Sequence, residues 1–328
     1  MDPVIKTGLF GAALLAVALA AAAQSLPPRR SFEIATGPAA GTYFPAGELI
    51  ARVVSHPPGL ARCEKSPLCG PPGVIVSARS SDGAVANVLA VYAGETVSGL
   101  AEANVVADAI AGRGAFATAG RQTHIRVMAD LFAESVQLVV PIRSRIRSVA
   151  DLKGKRVSLG NARSGGEVIA GAILAAYDVK RVKIVRETAE ISGGLLRDGK
   201  IDAFFFLGNV PDILIADMVG RGQARLIPID GKARARLVAK SEGLAIGAIA
   251  AGSYRGTPRL ETVTSRTLWI VRDSAPADAV YALVRALNHP GNRLLLQTSE
   301  APPIRPAAAA PLHPGAARYW RETGALPK

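Results

Sequence analysis

"RVSLGNARSGGEVIAGAILAAY", residues 156–177, holds a strand, a turn and a helix within 22 residues. The apolar run Val157-Ser158-Leu159 reads as the end of a strand. After the turn, Ile169, Ala172, Ile173, Ala176 and Tyr177 recur at helical spacing. Ser164-Gly165-Gly166-Glu167 is an S-x-x-E capping box, in which the serine accepts from an early backbone N–H and the glutamate reaches back. The first N–H groups of such a helix lack intrahelical partners and sit at the positive end of its dipole. Gly165 and Gly166 let a ligand come close to that backbone. The turn therefore has three possible uses: it holds an anion, carries a nucleophilic serine, or only joins two elements.

The same alternation of strand and helix continues outward in both directions, the pattern of an α/β protein with mainly parallel sheet. Strands are expected at 32–35, 74–78, 125–129, 137–142, 156–159, 182–185, 201–207, 225–229 and 267–271. A helix carries Ala46, Leu49, Ile50 and Val53 on one face, with Pro45 in its first turn, and another spans 276–288. "TGPAAGTYF" (36–44), "SSDGAVAN" (80–87) and "GNVPD" (208–212) are further strand-to-helix turns. In open α/β sheets such turns gather at the carboxyl edge of the strands, where ligands bind. Four of them, from two halves of the chain, imply two lobes facing across a cleft.

The enzyme reading of the turn starts from Ala162-Arg163-Ser164-Gly165-Gly166, which is close to the G-x-S-x-G nucleophile elbow, with His289 and His313 downstream. Against it, a loop separates Leu159 from Ser164 where an elbow turns abruptly, and Glu167 already gives the serine a capping role. "GLLRDGKI" (194–201) approaches a P-loop, but Ile201 stands where a hydroxyl is needed and the segment precedes a strand. The four histidines, His56, His124, His289 and His313, show no metal-ligand spacing, and neither a metal nor a cofactor is implied. Cys63 and Cys69 are the only cysteines; in an oxidising compartment they are expected to pair as a clip on a surface loop.

Lys6 precedes an apolar run over 9–23 that ends in Ala21-Ala22-Ala23. This reads as a signal peptide over residues 1–23, cleaved near Ala23, and hence as an exported, periplasmic protein. The formal charge is +13, which suits anionic partners. The basic cluster "RSRIRSVADLKGKR" (143–156) lacks interleaved aromatics and reads as a solvated face, so nucleic acid is not an expected partner.

Four segments taken together, "ATGPAAGTYFPAG", "DLKGKRVSLGNARSGGEV", "LRDGKIDAFFFLGNVPD" and "PLHPGAARYWRETG", resemble the TAXI-type extracytoplasmic solute receptors of tripartite ATP-independent periplasmic (TRAP) transporters. The resemblance covers nearly all of the mature chain. It implies a two-lobed periplasmic-binding-protein fold, type II-like, each lobe a mainly parallel sheet flanked by helices. Lobe 1 would comprise 31–142 and 263–328, and lobe 2 143–262, with crossings near Ile142 and Val263. It further implies a non-catalytic monomer that binds a small carboxylate-bearing solute, a glutamate-like amino acid or a dicarboxylate. That solute would pass to integral membrane subunits. A sensor built from the same lobes, and an exported hydrolase using Ser164, are the alternatives.

Carried over by position, the ligand-binding residues are Thr36, Gly37, Gly41, Thr42 and Tyr43 in the first-lobe loop, and Asn87. In the second lobe they are Ser164, Gly165 and Gly166 at the helix N-terminus, with Asn209 and Pro211 beside it. Three positions depart from the family pattern: Ala84 replaces a serine, Glu102 a glutamine and Asn104 an aspartate. A carboxylate at Glu102 would repel an anion and pair with an amino group, so an altered preference or a partial loss of binding is expected. If the Gly165 turn holds a solute carboxylate, Gly165→Asp should weaken binding far more than stability.

Overall fold

The computed structural model describes residues 29–64, 68–292 and 311–327. The expected signal peptide lies outside the described residues. Among the described residues there are ten strands: β1 (Arg30–Ala35), β2 (Val74–Arg79), β3 (Ser98–Glu102), β4 (Ile125–Pro141), β5 (Arg156–Ser158), β6 (Lys183–Val185), β7 (Ala203–Gly208), β8 (Ala224–Ile227), β9 (Leu244–Ile249) and β10 (Leu260–Arg272). They form one sheet in the order β2-β1-β3-β10-β4-β7-β5-β6, with β8 added to β4 and β9 to β10. The β1–β2, β1–β3, β5–β6 and β5–β7 pairs are parallel. Every pair made by β4 or β10 is antiparallel.

The two strands expected at 125–129 and 137–142 are one 17-residue strand, β4. Asp130, Glu134 and Ser135 interrupt its apolar run and make the sequence read as a break. The fold bridges that break because the buried carboxylates find partners on the neighbouring strand. Asp130 accepts from Arg266 at 2.6 Å and Glu134 from Thr267 at 2.7 Å. β10 likewise starts seven residues before the expected 267. Its first part pairs with β9 (residues 260–265) and its second with β3 (267–271). β4 pairs with β10 up to Ser135, and from Ser135 onward with β7 and then β8. Two register shifts, at Thr267/Leu268 and Trp269/Ile270, mark bulges between the long strands, a device that bends and twists a sheet.

The apolar side chains divide in the same place. One core draws on β1–β3, the first part of β4, the second part of β10 and the C-terminal helices, centred on Ile34, Leu100, Met128 and Trp269. Two further clusters, around Leu138, Ile173 and Phe205 and around Val139, Phe204 and Met218, take residues from 136 to 263. The molecule is thus a two-lobed α/β fold whose halves share two long strands. Cys63 and Cys69 are disulfide-bonded beside the end of α1 (Tyr43–Val54). Both are buried, at 7 % and 3 % exposure, rather than lying on the surface, because Gly70 next to them docks its N–H on Val54 O at 2.7 Å.

Candidate functional site

After α1 come α2 (Ala61–Glu64), α3 (Ala84–Ala93), α4 (Ala103–Ala111), α5 (Gly165–Ala176), α6 (Ala189–Arg197) and α7 (Ile213–Gly220), of which α3 to α6 border the site with their first turns or caps. α5 is the helix of the turn discussed above. Ser164 is its N-cap and accepts from Glu167 N at 3.1 Å. The glutamate reaches one residue further back than a capping box requires, to Arg163 N at 2.9 Å. Arg163 itself has φ +63°, and this left-handed residue shifts the donor that Glu167 meets.

A cleft of about 100 Å³ opens between the lobes. Of the residues carried over by position, Gly37, Gly41, Thr42, Tyr43, Glu102, Ser164, Gly165 and Gly166 line it. Thr36 and Asn87 do not. Thr36 is fully buried and donates its hydroxyl to Arg79 O at 2.7 Å. Asn87 Nδ2 donates to Thr36 O and Leu100 O at 2.6 and 2.7 Å, and its Oδ1 accepts from Ser81 at 2.6 Å. These two residues hold the floor beneath the cleft. Asn209 and Pro211 are exposed and stand outside the lining. Asn209 O receives Gln137 Nε2 at 3.0 Å, and Asp212 caps α7 through Ile215 N at 3.1 Å, so this turn serves its own helix. Asn104 is buried beside β10, its Oδ1 accepting from Ser265 at 2.8 Å.

The lining also contains residues that sequence reasoning passed over: Asp82, Glu134, Asn161, Glu190, Phe205 and Phe206. For Glu134 a signal existed: with Asp130 it is one of two carboxylates inside a largely apolar strand. The cleft mouth is clasped from both sides. Arg163 forms an ion pair with Asp82, Asn161 Nδ2 donates to Asp82 O at 2.6 Å, and Val85 N donates to Arg163 O at 3.1 Å. Gly83, at φ +112°, makes this approach possible: a Cβ there would lie 3.2 Å from Ser164 Cα.

Deeper in, the electrostatics are acidic. Glu102 at the end of β3 and Glu134 in β4 are 4 % and 2 % exposed. Glu102 packs so tightly on α5 that a Cβ on Gly165 would fall on its carboxyl group. Burial pushes the Glu102 carboxyl up to about 7, and burial together with the charge of Glu102 pushes Glu134 to about 8. Two such groups side by side titrate as a unit. The Tyr43 hydroxyl is also raised, first by burial and then by the charges of Glu102 and Glu134. The Tyr43 hydroxyl faces the carboxyls of Glu102 and Glu134, yet neither Tyr43 Oη nor Glu102 Oε2 completes a hydrogen bond. No lysine, arginine or histidine lines the cleft among the described residues. Ser164 accordingly has no imidazole beside it. His124 lies against Asp273 at 2.9 Å, His56 against Gly70 O at 2.9 Å, and His313 caps the last helix.

Residues 34–324 match the NMT1-like family. The chain belongs to that family. Among solved structures, this NMT1-like protein is similar to malate-bound MatC from Rhodopseudomonas palustris, at 17 % identity and a TM-score of 0.54. That match covers 91 % of this chain and 98 % of the other. A structure described as a periplasmic transporter gives 12 % identity, a TM-score of 0.52 and coverage of 90 % and 92 %. An ATP-bound protein from Xanthomonas citri gives 12 % identity and a TM-score of 0.50, covering 89 % and 94 %. At these identities the likeness is one of fold, the two-lobed architecture of periplasmic binding proteins.

Proposed function

We propose that this NMT1-like protein is an extracytoplasmic solute receptor that closes its two lobes on a small molecule. The observation that carries this reading is the cleft itself, built on two strands shared by both lobes and clasped across its mouth by Asp82 and Arg163. The malate bound to MatC and the description of the other neighbour as a transporter support the same reading. The partners are integral membrane subunits of the TRAP type, the compartment is the periplasm, and the protein works without catalysis.

The lobes follow the sequence reading, 31–142 with 263–328 and 143–262, except that the first boundary moves back to about 135, since Val136, Leu138, Val139 and Val140 pack in the second lobe's cores. Their hinge lies where the shared strands change partners, near Ser135 in β4 and between Ser265 and Thr267 in β10. Closure is then a hinge motion. Among carboxylate-bearing solutes, a zwitterion such as a glutamate-like amino acid suits the acidic floor, and a dicarboxylate does not.

The test is a thermal-shift screen of the mature protein, refolded to strip ligand, against amines, amino acids, dicarboxylates, keto acids and sugars. A ligand binding only the native state stabilises by RT ln(1 + [L]/Kd), about 2.7 kcal/mol at 100-fold saturation. A shift confined to one class is the expected result. No shift with any class, together with no compaction in solution scattering, overturns the receptor reading.

A further inference from the structure

We propose that Glu102 and Glu134 together form the seat for a positively charged amine of the solute, so that the cargo is recognised first by its cation. This rests on the receptor reading and narrows it. Three observations on separate elements meet here. Glu102 Oε2 is buried, lines the cleft and completes no hydrogen bond, the Tyr43 hydroxyl being the polar group that faces it. Glu134 presents a second buried carboxyl, anchored through one oxygen by Thr267. Tyr43, Phe205 and Phe206 are also among the lining residues. A pair of buried carboxylates at the floor of a cleft is chemistry that selects an ammonium group.

The other candidate, an anion on the N-terminus of α5, meets an obstacle. That helix end already faces the Glu102 carboxyl across Gly165, so an incoming carboxylate would be driven against a like charge. The charged and titratable groups around the seat are Tyr43 from α1, Glu102 from β3, Glu134 from β4, Glu190 from α6, and Asp82, whose charge is taken by Arg163. β7 contributes no charge to the lining, and β10 contributes only the neutral Thr267 hydroxyl beside Glu134. The partial positive charge of α5 opposes a cation but is confined to the helix end.

The seat also makes binding an exchange. With no solute present, burial and mutual repulsion keep a proton on the pair near neutrality. An amine with a pKa of about 10 arrives charged and displaces that proton to solvent. Affinity should therefore rise with pH through the range where the carboxyls ionise and fall below it, by about tenfold per pH unit for each proton released.

The experiment uses three probes of matched length, 1,4-diaminobutane, 4-aminobutyrate and succinate, alongside the wider panel above. The best binder is then titrated calorimetrically at pH 6.0, 7.0 and 8.5 in buffers of different ionisation enthalpy. The proposal expects an amine-bearing binder, proton release on binding, and affinity at pH 8.5 at least tenfold above that at pH 6.0. It also expects Glu102→Gln and Glu134→Gln each to weaken binding at least tenfold while the melting temperature holds or rises. A best binder without an amine, affinity that is flat or higher at pH 6.0, or unchanged affinity in both variants overturns the amine seat and leaves the receptor standing. If no class of solute binds and no compaction occurs, the receptor reading falls and takes the seat with it.

Discussion

At the residue scale, the buried carboxyls oppose the stability of the free protein. Glu102 and Glu134 hold protons in the folded state at pH values where an unfolded glutamate, with a pKa of about 4.3, has lost its own. Between that value and the raised ones the folded state binds more protons than the unfolded, so stability falls as pH rises. The melting temperature of the ligand-free protein should decline from about pH 5 to pH 8. Glu134→Gln should flatten that slope and stabilise the protein at pH 8, by up to about 1.4 kcal/mol for each pH unit of slope removed. Thermal unfolding across pH measures both, and an unchanged slope in the variant would exclude Glu134 as its source. The sequence marked Glu102 as a departure from the pattern it resembles, whereas Glu134 stood out only as a polar break in a strand, because its pairing with Thr267 on another strand leaves no local trace. The proposed Gly165→Asp test is not clean: any side chain there meets the Glu102 carboxyl, so stability would suffer along with binding.

At the element scale, the turn before α5 has more than a capping role. Its Arg163 reaches Asp82 on the opposite lobe, and its carbonyl receives Val85 N. Since Arg163 has a left-handed backbone at φ +63°, Arg163→Gly removes the guanidinium without straining the chain. The variant should populate a more open form, seen as a larger radius of gyration in solution scattering that saturating solute restores. Identical scattering from the two proteins would mean the ion pair does not hold the lobes. The strand, turn, capping serine and helical stripe of this element were legible because each is local in sequence. The clasp was not, since Asp82 and Arg163 stand 81 residues apart. The same limit explains β3 and β9, which were passed over. "SGLAE" is buried at every position without an alternating pattern. "LAIGAI" carries a glycine and exposed apolar positions, and pairing with β10 supplies what its own sequence lacks.

At the scale of the whole molecule, two lobes were legible from the four glycine-rich turns, whereas the shared sheet was not. Because β4 and β10 enter both cores, neither lobe can melt and leave the other's sheet intact. A single calorimetric transition, with van't Hoff and calorimetric enthalpies equal, is the expected outcome. Two resolved transitions would mean the lobes are energetically independent despite their common strands. The same pair of strands sets an order for assembly. β10 lies between β3 and β4, and its pairing with residues 98–102 and 125–135 joins parts of the chain separated by more than a hundred residues. During synthesis the first lobe can therefore gather β1, β2 and β3, but the gap beside β3 stays open until the chain beyond Arg272 is available. The half that begins first is completed last, and a nascent chain of this protein remains unfinished across most of its own translation.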